Sequence, residues 1–181
     1  MNKKPVILDK AVIAKSKLFE IEELHLRFSN GKECRFERIC GRGHGAVMII
    51  PLLDNKTILL VREYSTGLNE YVLGFPKGSI KRGEKVLLTA NRELKEEVGY
   101  GSHNMSILTC FSTSPSYLDS VMYVVLATDL YSESIRGDEP EPLEVVPWKL
   151  SQKNELLSHP EFHEARSIAA LFFLERHQYS S

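Results

Sequence analysis

Three glutamates, Glu93, Glu96 and Glu97, stand three and four residues apart in the stretch RELKEEVG. On a helix that spacing gathers all three carboxylates within about a third of a turn of one face. Like charges so placed repel by roughly 0.2–0.5 kcal/mol per pair. One explanation is a solvated acidic face, which calls for basic residues on the same side. Arg92 and Lys95 lie about 100° and about 160° from Glu93 at helical spacing, so neither relieves the charge by position alone. The other explanation is a hard divalent cation, which takes oxygen ligands and favours clustered carboxylates. The spacing also predicts a helix over 84–98, with an apolar stripe of Val86, Leu87, Ala90, Leu94 and Val98. That stripe adjoins the acidic face, which puts the carboxylates at the rim of a core.

The surrounding elements have to hold that turn in place. Residues 1–43 read as a β-rich opening, with two alternating runs in LFEIEELHLRFSNGKECRFERI and a hairpin signal at Asn30-Gly31. GRGH at 41–44 breaks the pattern. AVMIIPLL and TILLVREY follow as two buried strands, and YVLGFPKGS as a strand running into a glycine-punctuated turn. MSILTCFST and VMYVVLATDL are further strands, separated by the loop SPSYLDS. After the acidic loop RGDEPEP, LEVVPWKL reads as a short strand leading to a helix. A last helix is expected from about Pro160 to His177, with Phe162, Ala165, Ala169 and Phe172 as its buried stripe. The expected architecture is a mixed sheet with helices packed against it.

Bulk properties narrow the functions. A chain of 181 residues, 43% hydrophobic and 26% charged, has the composition of one ordinary globular domain or a domain with an appendage. A formal net charge of −1 offers no electrostatic footprint for nucleic acid or an anionic membrane. No apolar run reaches the roughly 18–20 residues of a membrane span. Asp9 and Lys10 interrupt the N-terminal apolar run, so no signal peptide is expected. The three cysteines, Cys34, Cys40 and Cys110, show no CxxC pairing and fit reduced thiols in a cytoplasm.

Extended leftward, the acidic turn belongs to GSIKRGEKVLLTANRELKEEVGY, of the form G-x5-E-x7-R-E-U-x-E-E-x-G-U with U apolar. If each of its seven fixed letters occurs about once in fifteen positions, the chance per starting point is on the order of 10⁻⁸. The stretch resembles the Nudix box. Tyr100 stands in the final apolar slot, where an aliphatic residue is usual. The resemblance implies an α+β Nudix fold, a mixed β-sheet packed between helices as an α/β/α sandwich, with an N-terminal β-hairpin extension. The extension would be residues 1–43, in a dimer interface, and the Nudix hydrolase domain residues 44–181. The implied reaction is hydrolysis of a nucleoside diphosphate linked to another group, with Mg²⁺ as cofactor and Mn²⁺ as a substitute. Glu93, Glu96 and Glu97 match the family's metal-binding glutamates, and the backbone carbonyl of Lys77 matches a further ligand. Glu84 and Arg92 match a bracing ion pair. Gly78 and Gly99 are the box glycines, to which structural roles fall.

The box does not choose the substrate. Pro115 in SPSY, the stretches FERICGRGHGAVMIIP and ILLVREY, and the N-terminal extension resemble the ADP-ribose pyrophosphatase branch. LRFSNG, LYSESIRGDEPEPL and HPEFHEAR are similar to the bacterial type within it that hydrolyses ADP compounds. The reading is therefore a cytoplasmic, homodimeric pyrophosphatase cleaving ADP-X to AMP and X-phosphate, where ADP-X is ADP-ribose, NADH or a dinucleoside polyphosphate. Alternatives are a Nudix enzyme for an oxidised dNTP or capped RNA, or a non-catalytic nucleotide sensor. In RGDEPEP, Glu139 is either a general base with Glu141 as an extra metal ligand, or both belong to a solvated turn. Glu93 competes as the base, and Glu97 completes the catalytic set. Arg62 is either a phosphate contact or the partner of Glu63. Phe28 and Tyr117 are either stacking faces for adenine or packing residues, and Pro115, two residues before Tyr117, joins them and Arg62 as a substrate-binding candidate.

Overall fold

The computed structural model describes residues 3–41 and 44–180. Arg42 and Gly43 of the GRGH break lie outside the described residues. In chain order the strands are β1 (Val6–Lys15), β2 (Glu20–Arg27), β3 (Glu33–Cys40), β4 (Ala46–Asp54), β5 (Thr57–Ser65), β6 (Glu70–Gly74), β7 (Lys77–Ser79), β8 (Tyr100–Ser112), β9 (Leu118–Asp119), β10 (Val121–Ser132) and β11 (Glu144–Lys149). The helices are α1 (Val86–Glu97), α2 (Lys153–Leu157) and α3 (Ala165–Ser180). The chain divides into two compact units, one of Met1–Gly45 with Ser112–Val121, the other of Ala46–Phe111 with Met122–Ser181.

The first unit is a sheet of order β1-β2-β3-β9. β2 and β3 form the expected hairpin, with Leu24 opposite Phe36 and Gly31 at φ +82° in the turn. Glycine alone reaches that backbone region without strain. β1 extends the hairpin into a three-stranded antiparallel arrangement. It is not legible as a strand because Asp9 and Lys10 interrupt its alternation, and register shifts break its pairing with β2. The SPSYLDS segment is not wholly a loop. Its Leu118 and Asp119 pair in parallel with Ile39 and Cys40 of β3.

The second unit is a seven-stranded mixed sheet of order β11-β5-β4-β10-β8, with β6 on β5 and β7 on β4. β4 and β10 run parallel, whereas β5 is antiparallel to β4, β6 and β11. Side chains alternate along a strand, and β4 uses both faces. Val47 and Ile49 pack with Ala90 and Leu94 of α1. Met48, Ile50 and Leu52 pack with Ala170, Leu171 and Leu174 of α3. The sheet is therefore sandwiched between helices, the α+β Nudix arrangement expected from the box. Burying each such aliphatic side chain stabilises by about 1.5–3 kcal/mol.

Two helix readings need correction. α1 is shorter than 84–98, and Leu87 is exposed, so the inward stripe is Val86, Ala90 and Leu94 with Val98 just beyond. The last helix starts at Ala165, not Pro160, because Glu164 caps it by accepting hydrogen bonds from the backbone N–H groups of Arg166 and Ser167 at 3.1 and 2.9 Å. The buried face also differs from the expected stripe. Ser167, Ala170, Leu171 and Leu174 are buried, whereas Phe172 is exposed, and Phe162 is buried from the turn that precedes the helix.

Candidate active site

α1 carries the acidic turn into the rim of the core, as the adjoining stripe requires. Glu93 and Glu97 are each only 7% exposed, while Glu96 is half-buried. Burial pushes the Glu97 carboxyl up to about 8 and the Glu93 carboxyl up to about 7. Taking a carboxylate out of water disfavours its charged form, and Arg92 only partly offsets this at Glu93. The backbone N–H of Lys77 donates to Glu97 Oε2 at 3.2 Å, which joins β7 to the helix. The Glu93 carboxyl lies against the backbone of Gly78, where an added Cβ would stand 2.0 Å from its Cδ. A methyl group there would force the Glu93 carboxyl to move. Gly99, at φ +77°, ends the helix in the left-handed conformation that favours glycine.

Arg92 does more than its helical angle suggests. Its guanidinium forks onto Glu84, Nε to Oε1 at 3.0 Å and Nη2 to Oε2 at 3.1 Å. Its Nη1 also meets Glu93 at 2.7 Å and Glu96 at 2.9 Å. The expectation that no basic residue relieves the acidic face is therefore corrected: a long, flexible side chain reaches where its Cα does not point. The hydrogen bond from Arg92 holds the Glu84 carboxyl down at about 2. Lys95 turns away to Glu133 at 2.8 Å. Among the described residues, no three acidic, histidine or cysteine side chains already converge as a metal cage. Glu93 and Glu96 are instead drawn to Arg92.

The RGDEPEP loop comes to the same face. A side chain built at Gly137 would meet Glu139 Oε2 at 2.4 Å and Glu96 Cβ at 3.4 Å, so half-buried Glu139 stands beside the glutamate turn. Glu141 accepts a hydrogen bond from Tyr71 Oη at 2.6 Å. Arg62 is held by two carboxylates, Glu144 and Glu161, the latter at 2.9 Å. Glu63 is not its partner. Strand alternation sends Glu63 to the opposite face, where it pairs with Lys77 Nζ. Glu63, which raises the Glu97 carboxyl further, is a neighbour of the glutamate turn that the sequence reading missed; alternation along LVREY separates it from Arg62 but does not reveal its partner.

The first unit has its own pocket, of about 500 Å³, which gathers Phe28, Phe36, Pro115 and Tyr117 with Leu24 and Leu26. Phe28 and Phe36 lie with ring centroids 6.2 Å apart, and Tyr117 is 55% exposed. The three substrate-binding residues named from sequence in this part of the chain thus line one cavity.

Comparison with known proteins agrees with the geometry. A family model described as the NUDIX domain matches residues 42–172, and one described as the NudE-type Nudix hydrolase N-terminal domain matches residues 5–38. The chain is 48% identical to the ADP compounds hydrolase NudE of Escherichia coli (strain K12), over 94% of this chain and 91% of that protein. It is 30% identical to the ADP-ribose pyrophosphatase of Bacillus subtilis (strain 168), over 93% of this chain and 94% of that one. A solved structure titled crystal structure of ADP compounds hydrolase superposes with a TM-score of 0.92 at 46% identity, covering 98% of this chain and 96% of that one.

Proposed function

The chain belongs to the Nudix hydrolase family and is a pyrophosphohydrolase, and we propose that its substrates are ADP-X compounds, cleaved to AMP and X-phosphate. The observation that carries the chemistry is the pair of buried carboxylates, Glu93 and Glu97, set on one helix beside Lys77 and Gly78. Names borne by the relatives supply the ADP-X class. NADH and dinucleoside polyphosphates stand in it beside ADP-ribose.

The donor set fits a hard divalent cation, because every candidate ligand is an oxygen and burial makes the inner carboxylates costly to ionise without one. We assign Glu93, Glu96, Glu97 and the Lys77 carbonyl to Mg²⁺, or Mn²⁺ in its place, with Glu141 as a further ligand. The cation, when bound, supplies neutralisation of the pyrophosphate charge and acidification of water. Glu139, at the edge of the glutamate turn, takes the proton of the attacking water. Glu84 and Arg92 brace α1, and Arg92 also offsets the charge of Glu93 and Glu96. Arg62, engaged by Glu144 and Glu161, is assigned to bracing β5 and β11, since a phosphate would have to displace two carboxylates.

The aromatic pocket of the first unit is assigned to adenine, whose π-face stacks on Phe28 or Tyr117. A homodimer is part of this reading, as is a cytoplasmic location in which the three free thiols stay reduced. Among the described residues no helix is long and apolar enough to cross a membrane. The deciding experiment is a substrate panel of ADP-ribose, NADH, diadenosine polyphosphate, GDP-mannose and oxidised dGTP, each with Mg²⁺ and with EDTA. Metal-dependent release of AMP from the ADP compounds is expected. Turnover confined to GDP-mannose or oxidised dGTP would overturn the ADP-X assignment while keeping the Nudix chemistry.

A further inference from the structure

Glu139 stands in a segment that belongs to neither a strand nor a helix, between the end of β10 at Ser132 and the start of β11 at Glu144. Such a segment keeps one conformation only where contacts offset its lost freedom. Its root is held on α1. The last carbonyls of a helix lack partners within it. Ile135 N–H donates to one of them, the Lys95 carbonyl, at 3.3 Å, and Glu133 N–H donates to the Gly99 carbonyl at 3.1 Å. Any side chains would permit these two bonds. The contact that depends on residue type is the ion pair of Lys95 Nζ with Glu133, at 2.8 Å. Lys95 Nζ also lies 5.7 Å from the centre of the Tyr131 ring on β10. The ammonium is thus turned to the loop root and away from the glutamate face.

With the Glu133 side chain 45% exposed, this pair adds little to the stability of the fold. What it controls is the path of the chain that follows. From Ile135 to Glu139 the backbone spans at most roughly 14 Å, so a shift at the root carries through to the Glu139 carboxylate. Between them the loop passes α1 at Gly137, where an added Cβ would stand 3.4 Å from Glu96 Cβ and 2.4 Å from Glu139 Oε2. The loop is therefore tied at Lys95, meets the neighbouring Glu96, and then presents Glu139. We propose that Lys95 and Glu133 are positioning residues for the proton transfer: their ion pair fixes the loop root and so sets Glu139 against the glutamate turn. The inference rests on the assignment of Glu139 as the base and adds the pair that places it.

The test measures kcat and KM at saturating Mg²⁺, with the fastest substrate of the panel, for Lys95→Met, Glu133→Gln and Glu139→Gln, and for each of the first two combined with the third. Glu139→Gln is expected to lower kcat by roughly a hundredfold or more, the usual worth of a general base. Lys95→Met and Glu133→Gln are each expected to lower kcat about tenfold with KM little changed, the effect of a base held slightly out of place. The shared sign is diagnostic. One variant removes a cation and the other an anion, so a direct effect of charge on the glutamates would drive the two apart. In the Glu139→Gln background neither substitution is expected to lower kcat further, since a base already removed cannot be misplaced. An equal loss in both backgrounds, opposite effects of the two variants, or no loss in either would overturn the positioning role, and an impaired Glu139→Gln would still keep the base. Wild-type kcat in Glu139→Gln would remove the base assignment and the positioning role with it.

Discussion

At the scale of single residues, burial makes Glu93 and Glu97 reluctant anions, and this gives the site a pH signature. Their carboxyls are raised from an ordinary 4.5 to about 7 and about 8. Between those limits the folded protein holds protons that the unfolded chain has released. The metal-free protein is therefore at its most stable, from these groups, below about pH 4.5, and loses that stability as pH rises to about 8. Where a group is protonated only in the fold, the slope is about 1.4 kcal/mol per pH unit. Melting temperatures of EDTA-treated protein should fall across pH 5–8, and Mg²⁺ should restore more of the loss at pH 8 than at pH 6, because cation and proton compete for the same oxygens. Glu97→Gln should flatten the metal-free slope and melt higher than the wild type at pH 8 without metal. It should also lower kcat by roughly a hundredfold or more, since even outer groups around a metal are worth 10–100-fold. A variant with wild-type turnover would remove Glu97 from the ligand set.

At the scale of elements, the box works as a docking of β7 against α1. The tightest point is Gly78, where a methyl group would stand within 2.5 Å of three Glu93 carboxyl atoms. α1 cannot retreat, because Ala90 and Leu94 are fully buried on the sheet. With the helix fixed, the Glu93 carboxyl has to swing aside, so Gly78→Ala is expected to misplace Glu93 and to lower turnover more than stability, which falls by about 1 kcal/mol. Thermal melts and turnover of the same preparation test this, and a variant matching the wild type in both would show that the loop yields freely. The same elements show what the sequence made legible. The box letters and the helical spacing located Glu93, Glu96, Glu97, Glu84 and Gly78 because each answers to a local rule. Arg92 serving three carboxylates and Lys77 reaching Glu63 depend on side-chain reach and on strands distant in sequence, which spacing does not encode. The start of α3 was misread because Pro160 offers a strong opening signal, while the cap that acts is a glutamate at 164, outside the usual serine, threonine, aspartate and asparagine set.

At the scale of the whole molecule, the unsettled surface is β1. All ten of its residues are exposed, including Val6 at 62%, Ile7 at 56%, Val12 at 52% and Ile13 at 48%. Val12 and Ile13 lie at a register shift in the pairing with β2, where regular alternation is interrupted, and both present apolar side chains to water. β1 is also an edge of its sheet, with one row of backbone groups unpaired in the ladder. An exposed apolar edge strand invites uncontrolled pairing unless something covers it. The proposed homodimer would cover it, which makes β1 the element on which that proposal is tested. Replacing Val12 and Ile13 together by lysine should break the dimer, because charge on an edge strand opposes strand pairing and the apolar contact is lost. Light scattering after size exclusion should then show a single-chain mass for the double variant and twice that for the wild type. A wild type that already runs as a single chain would refute the dimer. A double variant that stays dimeric would move the interface away from β1.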